Sequence, residues 1–392
     1  MGGLTPRERF LRCMRFQSVD RPPNFELGYW GQTVERWLQE GMPKEAYPWL
    51  TDYDQRGIRV GRRRYEGPLY GHPYFGLDER PCVPLELFAL PPFEVKVLEE
   101  TDRYLLYYDE DGILRKALKE GTVRGTRPSM DTYLDFPVKN REDFVELRKR
   151  YDPRDPRRYP EDWPAVVAEY GPHRKVPLCL VPNGTVGFYS LPRRWMGTVG
   201  LSKAFFAQPS LVHEMMDFIA DFIIEATHKA VHDLQPDYFN FFEDFAYTGG
   251  PHISPRVFKE FLLPRYQLVT GFLRKHGVSI IWLDSDGNVE PLLPLLLEAG
   301  ITCLWPLEAA AGMDPRKVRR EYGRSLALSG GIDKREVAKG REAIEREVEA
   351  KVPGLIAEGG YIPTLDHSFP PDISYENFLY YLQVKKKALE QA

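Results

Sequence analysis

The chain has 392 residues, of which 43% are hydrophobic and 28% charged, and its formal net charge at pH 7 is -4. This is the composition of a globular protein large enough for one barrel or two domains, and the weakly acidic balance argues against nucleic-acid binding. No apolar run approaches the roughly 18 residues of a membrane span, and the N-terminus lacks the apolar segment of a secretory signal, so we expect a cytoplasmic protein.

The first quarter of the chain contains two candidate strands, residues 23–27 and 83–88. Pro84 cannot donate a hydrogen bond to a neighbouring strand, which suits only the start or the edge of a strand. Between the two runs, residues 56–64 are rich in arginine. We interpret this basic run as a solvated surface rather than an anion site.

Residues 91–173 form an excursion from the pattern of the rest of the chain. Residues 104–108 and 113–118 flank the turn sequence 109–112, a pattern that predicts a β-hairpin. A short helix is predicted at 142–150. We expect this excursion to pack on the main fold within a single domain of residues 1–392.

From residue 176 onward, short apolar runs alternate with amphipathic segments such as 211–234 and 255–276. The runs are 176–181, 237–242, 278–283, 301–306, 326–329 and 361–365. Together with the two earlier candidates they make eight strands, which predicts an α/β fold of the (β/α)8 TIM-barrel type. A doubly wound open sheet is the alternative. In either fold the functional groups lie where the strands end.

The most informative strand end is Asp284-Ser285-Asp286-Gly287-Asn288. Asp284 and Asp286 are two residues apart, so on an extended backbone their side chains point the same way. Such a pair can hold a metal, bind a cationic group or divide acid and base roles. The structural alternative is a turn in which Asp286 caps the chain that follows.

Other strand ends carry polar groups of different kinds. Glu243 closes an apolar strand, so it is a candidate for catalysis, with a salt bridge to a nearby arginine as the alternative. His367 can act as acid, base or ligand, or as a hydrogen-bonded structural histidine. Ser254 and Asp333 each precede a predicted helix and are interpreted as N-caps.

Six motifs in this order resemble those of the uroporphyrinogen decarboxylase superfamily over nearly the whole chain. They are Arg21-Pro22-Pro23, Trp195-Met196-Gly197, Gly250-Pro251-His252-Ile253-Ser254-Pro255, Asp286-Gly287-Asn288, Gly330-Gly331-Ile332-Asp333 and Pro370-Pro371-Asp372-Ile373-Ser374-Tyr375-Glu376-Asn377. The resemblance implies a TIM barrel whose site lies at the strand C-termini. It does not specify a reaction.

One branch of that superfamily decarboxylates porphyrinogens without a cofactor, using an arginine-bearing segment to grip carboxylates. The corresponding segment here, residues 24–32, contains no arginine. A substrate with many carboxylates would lose its main binding contacts, so a haem-pathway decarboxylase is not expected. His367 resembles the C-terminal histidine of the family.

A second branch contains zinc methyltransferases that move methyl groups between small molecules and a corrinoid protein. Their His-x-Cys motif corresponds to Asp284-Ser285-Asp286 here, and no cysteine lies near Asp366, so the usual thiolate-rich zinc site is excluded. An oxygen-rich site of Glu243, Asp284, Asp286 and His367 could instead hold a harder divalent ion, or embrace a cationic methyl donor.

The resemblance therefore implies a divergent member near the corrinoid methyltransferase-like branch. Its expected activity is methyl transfer or demethylation of a small molecule, with the corrinoid carried by a partner protein. His367, Asp286 and Glu243 are the predicted catalytic residues. The predicted substrate-binding residues are Asp284, Tyr29, Trp30 and Tyr247.

Two alternatives stay open. A cofactor-free decarboxylase of a small acid would use His367 as proton donor and Arg193 or Arg194 as a carboxylate clamp. A non-catalytic barrel that only binds a ligand is the other. Members of the superfamily are often dimers, so a homodimer is an expectation of the resemblance that no pattern in this sequence decides.

Overall fold

The computed structural model of the protein describes residues 3–46, 58, 73–123, 127–128 and 130–391, so the basic run at 56–64 lies outside the described residues except for Ile58. The helices are α1 (Pro6–Met14), α2 (Gly31–Gln39), α3 (Arg141–Leu147), α4 (Trp163–Tyr170), α5 (Ser190–Ala207), α6 (Pro209–Leu234), α7 (Pro255–Val257), α8 (Leu263–Lys275), α9 (Leu293–Glu298), α10 (Pro315–Tyr322), α11 (Lys334–Lys339), α12 (Arg341–Glu358) and α13 (Tyr375–Glu390). The strands are β1 (Lys96–Glu100), β2 (Tyr104–Tyr108), β3 (Leu114–Leu118), β4 (Thr132–Asp135), β5 (Tyr238–Phe242), β6 (Ala246–Tyr247), β7 (Gly250–Pro251), β8 (Ile280–Asp284), β9 (Cys303–Trp305), β10 (Ala327–Ser329) and β11 (Tyr361–Ile362).

A parallel sheet with the order β11-β10-β9-β8-β5 forms the centre of the fold. Each of its strands coincides with one of the apolar runs predicted from the sequence, and β8 extends one residue beyond its run, to Asp284. β5, β8, β9 and β10 are almost entirely buried, as expected for strands covered on both faces. The prediction of parallel strands alternating with helices is confirmed.

Single parallel bridges continue this sheet towards a closed barrel. Cys179 bridges Tyr238 of β5 on one side and Cys82 on the other, and Tyr29 bridges Phe369, which follows β11. The prediction of full strands at 23–27 and 83–88 is wrong. Near each of these runs the chain forms a single bridge, at Tyr29 and at Cys82, and not a ladder of paired residues. Neighbouring segments of the sheet and of its bridged extensions follow the order of the chain, as the strands of a TIM barrel do.

Helix α1 closes the end of the barrel at which the strands begin. It starts with a capping box between Thr5 and Glu8, and Pro6 occupies the first turn. The Phe10 ring lies 4.9 Å from the Tyr238 ring and 6.1 Å from that of Trp282. Aromatic side chains therefore fill this end in the described structure, and the polar strand ends lie at the opposite end of the barrel.

The outer helices agree with the predicted periodicity, with one break. The helix predicted at 211–234 is α6. The one predicted at 255–276 is divided into α7 and α8 by a π-helical turn at Phe258–Leu262. Among the described residues, no helix is both long and apolar enough to span a membrane.

The excursion at 91–173 contains the predicted hairpin, in which Tyr104 pairs with Leu118 and Tyr108 with Leu114. β1 and β4 extend this hairpin to an antiparallel sheet of order β1-β2-β3-β4. The excursion contacts the outer helices of the barrel: the hydroxyl of Tyr159 donates to the carbonyl of Ala226 in α6 at 2.7 Å. It therefore packs on the α5–α6 side of the molecule.

Candidate active site

The turn after β8 brings two of the predicted acids into one small region. Asp284 is the last residue of β8 and is buried, whereas the side chain of Asp286 is 38% exposed. Gly287 has a φ of +78°, and a Cβ atom there would lie 2.5 Å from the backbone of β6. Its amide donates to Glu308 Oε2 at 3.0 Å. The turn is thereby held tightly at the carboxyl end of the sheet.

His367 faces this pair from the loop that follows β11. Its Nε2 lies 3.5 Å from Oδ2 of Asp286. Burial alone would lower the pKa of His367, but the adjacent Asp286 carboxylate outweighs burial and raises that pKa above its usual value. Asp286 and His367 therefore form a carboxylate–imidazolium pair over a wider pH range than an isolated histidine would allow.

Asp284 has the opposite electrostatic character. Burial raises the pKa of Asp284 well above its usual value, and the charge of Asp286 raises it further. A hydrogen bond of 2.8 Å from Asn183 Nδ2 to Asp284 Oδ2 offsets only part of this rise. Burial thus favours the protonated form of Asp284 beside the Asp286–His367 pair, the kind of division of protonation states on which acid–base catalysis depends.

Two neighbours of this cluster were missed in the sequence. Asn183 follows the apolar run 176–181, so the expectation that functional groups lie where strands end could have identified it. Lys334 begins α11 just after β10, and its Nζ lies 3.6 Å from both Glu308 Oε1 and Asp366 Oδ2. Because Lys334 follows the predicted N-cap Asp333, its sequence position indicates only an ordinary residue in the first turn of a helix. The cap at Asp333 is itself confirmed, since its side chain accepts from the amide of Arg335.

Glu243 touches the cluster of Asp284, Asp286 and His367 through its backbone, since its amide donates to the carbonyl of Asp284 at 2.8 Å. In the described structure, the hydrogen bonds of its carboxylate go to other residues. Glu243 is fully buried, and its carboxylate accepts hydrogen bonds from the amides of Phe188, Tyr189 and Ser190 and from the hydroxyl of Tyr266. These amides begin α5, so the carboxylate caps that helix. Neither of the roles predicted for Glu243, catalysis and metal binding, is supported by these contacts.

Glu243 should make the stability of the protein depend on pH. Burial raises its pKa to about 7, and the hydrogen bonds it accepts oppose that rise. Because the folded protein binds this proton more tightly than the unfolded chain does, the contribution is full below pH 4.5 and is lost as the pH rises to about 7. The loss is about 3 kcal/mol. Urea unfolding of wild type and Glu243→Gln at pH 5 and pH 8 measures it: the variant should lack this slope, and equal slopes would contradict the assignment.

The two arginines predicted as carboxylate clamps each lie near an acidic side chain of the protein itself. Arg193 binds Asp244 with a distance of 2.9 Å from Nη2 to Oδ2. Arg194 lies over the ring of Phe88, and its Nε is 3.8 Å from Asp111 of the excursion. Both guanidinium groups therefore hold parts of the fold together.

The predicted aromatic lining is also divided. The ring of Trp30 lies 6.3 Å from that of His367, so Trp30 borders the cluster. Tyr29 packs into a buried aromatic group, with its ring 5.4 Å from Trp37. Tyr247 is 55% exposed and stacks on His252 at 5.1 Å. Of the three, Trp30 alone is brought against the cluster by a ring contact in the described structure.

A divalent metal is one of the two uses that the sequence left open for the predicted acids and His367, beside the binding of a cationic methyl donor. Within the described ranges, no group of three or more His, Cys, Asp or Glu side chains is arranged to hold a metal ion. Glu243 uses both oxygens to cap α5, and Oδ2 of Asp284 accepts a hydrogen bond from Asn183. The metal set of Glu243, Asp284, Asp286 and His367 stays a prediction, which the hydrogen bonds of Glu243 do not favour.

Comparison with known proteins gives one family. The uroporphyrinogen decarboxylase (URO-D) family model matches residues 189–387. The chain is 27% identical over 186 residues to a uroporphyrinogen decarboxylase of Serratia proteamaculans, covering 45% of this chain and 48% of the relative. A uroporphyrinogen decarboxylase of Alcanivorax borkumensis is 28% identical over 216 residues, covering 49% and 56%. The chain thus spans about half the length of the curated relatives it matches.

A solved structure resembles the chain over a greater length. A methyltransferase from Methanosarcina mazei aligns with a TM-score of 0.57 at 16% sequence identity, covering 99% of both chains. At this identity the likeness concerns the fold. It agrees with the α/β barrel described above.

Proposed function

This chain belongs to the uroporphyrinogen decarboxylase family, and from that premise we propose that it decarboxylates a small organic acid by proton transfer at Asp284, Asp286 and His367. The observation that carries this proposal is the placement of buried Asp284, at the carboxyl end of β8, two residues before Asp286, whose Oδ2 lies 3.5 Å from Nε2 of His367. Burial raises the pKa of Asp284 and so favours its protonated form. General acids act most effectively when burial and neighbours hold their proton at working pH.

The proposed reaction needs one proton and no redox partner. The bond between the carboxylate carbon and the rest of the substrate breaks, carbon dioxide leaves, and the bonding electrons stay on the remaining carbon. Asp284 donates its proton to that carbon and is left as a carboxylate. The imidazolium of His367, held by Asp286, then reprotonates Asp284, and His367 takes the one proton that the reaction consumes from solvent. A substrate that can delocalise the developing negative charge is required, because no electron sink is supplied by the three side chains.

The protonated form of Asp284 would admit an anionic substrate. When Asp284 holds its proton, the carboxylate of Asp286 is balanced by the imidazolium of His367, and the nearby charge of Asp244 is paired with Arg193. The ammonium of Lys334 also lies close enough to act on His367. A small carboxylate would therefore approach without the repulsion that two ionised aspartates would exert.

The test is carbon dioxide release from a panel of short carboxylic acids bearing a carbonyl or aromatic group next to the reacting carbon. In deuterated water the product should carry one deuterium at the carbon that lost the carboxylate. The expected result is release from at least one acid, abolished in the variants discussed below. Release that is equal for wild type and variants would contradict the proposal.

Methyl transfer to a corrinoid protein is the second candidate. It is favoured by the fold shared with the Methanosarcina mazei methyltransferase over nearly the full length of both chains. In that case Asp284 would protonate the atom from which the methyl group departs. Methylation of an added cobalamin-loaded corrinoid protein, without carbon dioxide release, would select this reaction.

A non-catalytic barrel is the remaining outcome of the same experiments. It would bind an acid from the panel without converting it, and the substitution His367→Ala would leave that binding intact. A single domain, a cytoplasmic location and a homodimer stay predictions alongside it.

A further inference from the structure

Beneath Asp284, a chain of hydrogen bonds runs through the interior of the barrel. Trp305 Nε1 donates to Asn240 Oδ1 at 3.0 Å, and Asn240 Nδ2 donates to Asn183 Oδ1 at 2.6 Å. Asn183 Nδ2 then donates to Asp284 Oδ2 at 2.8 Å. Trp305 and Asn240 are almost completely buried, and both line a small interior cavity together with Asn183.

The direction of this chain follows from its first member. An indole N–H can only donate, so Asn240 must present its carbonyl oxygen to Trp305 and its amino group to Asn183. Asn183 must in turn present its amino group to Asp284. For an isolated asparagine, the positions of the amide oxygen and nitrogen could be exchanged. The indole of Trp305 fixes both assignments here, because it can only donate.

We propose that Trp305, Asn240 and Asn183 act as a positioning relay that makes Oδ2 of Asp284 the hydrogen-bond acceptor and leaves Oδ1 to carry the carboxyl proton. The described residues donate a hydrogen bond to Oδ2 and none to Oδ1. The catalytic role of this relay rests on the proposed function. The relay adds to that function by specifying which oxygen of Asp284 donates the proton. A carboxyl group turned over by half a rotation would direct its proton at the amino group of Asn183, where a donor would face a donor.

The barrel offers a matched control for this relay. Trp282 is equally buried and lies 5.6 Å from Trp305, ring to ring, yet its Nε1 has no hydrogen-bond partner among the described residues. The substitutions Trp305→Phe and Trp282→Phe therefore remove the same N–H group and similar volume from the same region. The first breaks the relay, and the second does not.

The experiment is infrared difference spectroscopy of the resting protein, with the protonated carboxyl band of Asp284 identified by its loss in Asp284→Asn. In wild type the C=O group accepts a hydrogen bond from Asn183. Trp305→Phe should move that band to higher frequency, because Asn183 is free to turn, whereas Trp282→Phe should leave it in place. Asn240→Leu, which breaks the next link, should reproduce the shift and serves if Trp305→Phe does not fold.

Under the proposed reaction, Trp305→Phe should also lower kcat about ten-fold with little change in KM, as expected for one misdirected hydrogen bond. A band that stays in place in both Trp305→Phe and Asn240→Leu, or that moves equally in Trp282→Phe, overturns the relay. The absence of any protonated band in wild type overturns the neutral acid of the proposed function and the relay with it. A band that moves as expected in a protein that releases no carbon dioxide upholds the relay and overturns the decarboxylation.

Discussion

Replacing Asp284 by asparagine is expected to lower kcat for carbon dioxide release about 10²- to 10⁴-fold, the range supplied by a positioned general acid. Asparagine has nearly the same shape and can still accept the hydrogen bond from Asn183. It cannot give up a proton to the substrate. Since the substitution leaves the size of the site unchanged, KM should change little.

The pH dependence provides an independent check on Asp284. Because burial raises its pKa, the acid form survives into a pH range where ordinary aspartates are ionised, and kcat should fall only when the pH rises through that raised value. Asp314→Asn is a suitable control, because Asp314 caps α10 and pairs with Arg316 away from the cluster. It should retain wild-type kcat.

The activities of Asp284→Asn and His367→Gln, compared with each other, show which residue donates the proton. If Asp284→Asn keeps more than about a tenth of the wild-type kcat while His367→Gln loses nearly all of it, the proton comes from the imidazolium. If both variants keep full activity, the cluster is not the site of the reaction.

Replacing Lys385 by methionine is expected to cost about 3–5 kcal/mol of the free energy of unfolding, the cost of breaking a buried ion pair on one side. Lys385 of α13 is completely buried, and its ammonium contacts the carboxylate of Glu26 and donates to the carbonyl of Phe25 at 3.0 Å. Glu26 also accepts from the hydroxyl of Tyr381 at 2.7 Å and from the amide of Leu365 at 2.9 Å. Without the lysine, a buried carboxylate loses its counter-charge.

Two variants separate this pair from other effects of α13. Lys386→Met removes the next lysine on the same helix, whose side chain is 71% exposed, and should change the stability by less than about 0.5 kcal/mol. The double variant Lys385→Met with Glu26→Gln removes both charges and should be more stable than Lys385→Met alone. Urea unfolding measures all three, and equal losses for Lys385→Met and Lys386→Met would contradict the role of the pair.

The consequence extends to the site, because Glu26 holds the backbone of Leu365 two residues before His367. If the backbone of Leu365 becomes more mobile, the distance between His367 and Asp286 should vary more widely. Lys385→Met is therefore expected to reduce activity as well as stability, in contrast to Lys386→Met.

The sequence alone determined those features that depend on neighbours along the chain. Apolar runs with alternating helical segments located β5 and β8 to β11. The capping residues Ser254 and Asp333 were recognised because an N-cap acts within its own first turn. The pair at Asp284 and Asp286 was found because strand geometry relates residues two apart.

Only the tertiary structure decided what each polar group contacts. Glu243 and Asp284 both end parallel strands, yet the first caps α5 and the second faces His367, a difference that depends on segments more than fifty residues away. Arg193 could not be assigned to Asp244 from local pattern, nor could Asn183 be assigned to Asp284. Periodicity reports which face of an element is buried, whereas the partner of a buried charge is set by long-range packing, and that partner determines its protonation and its chemistry.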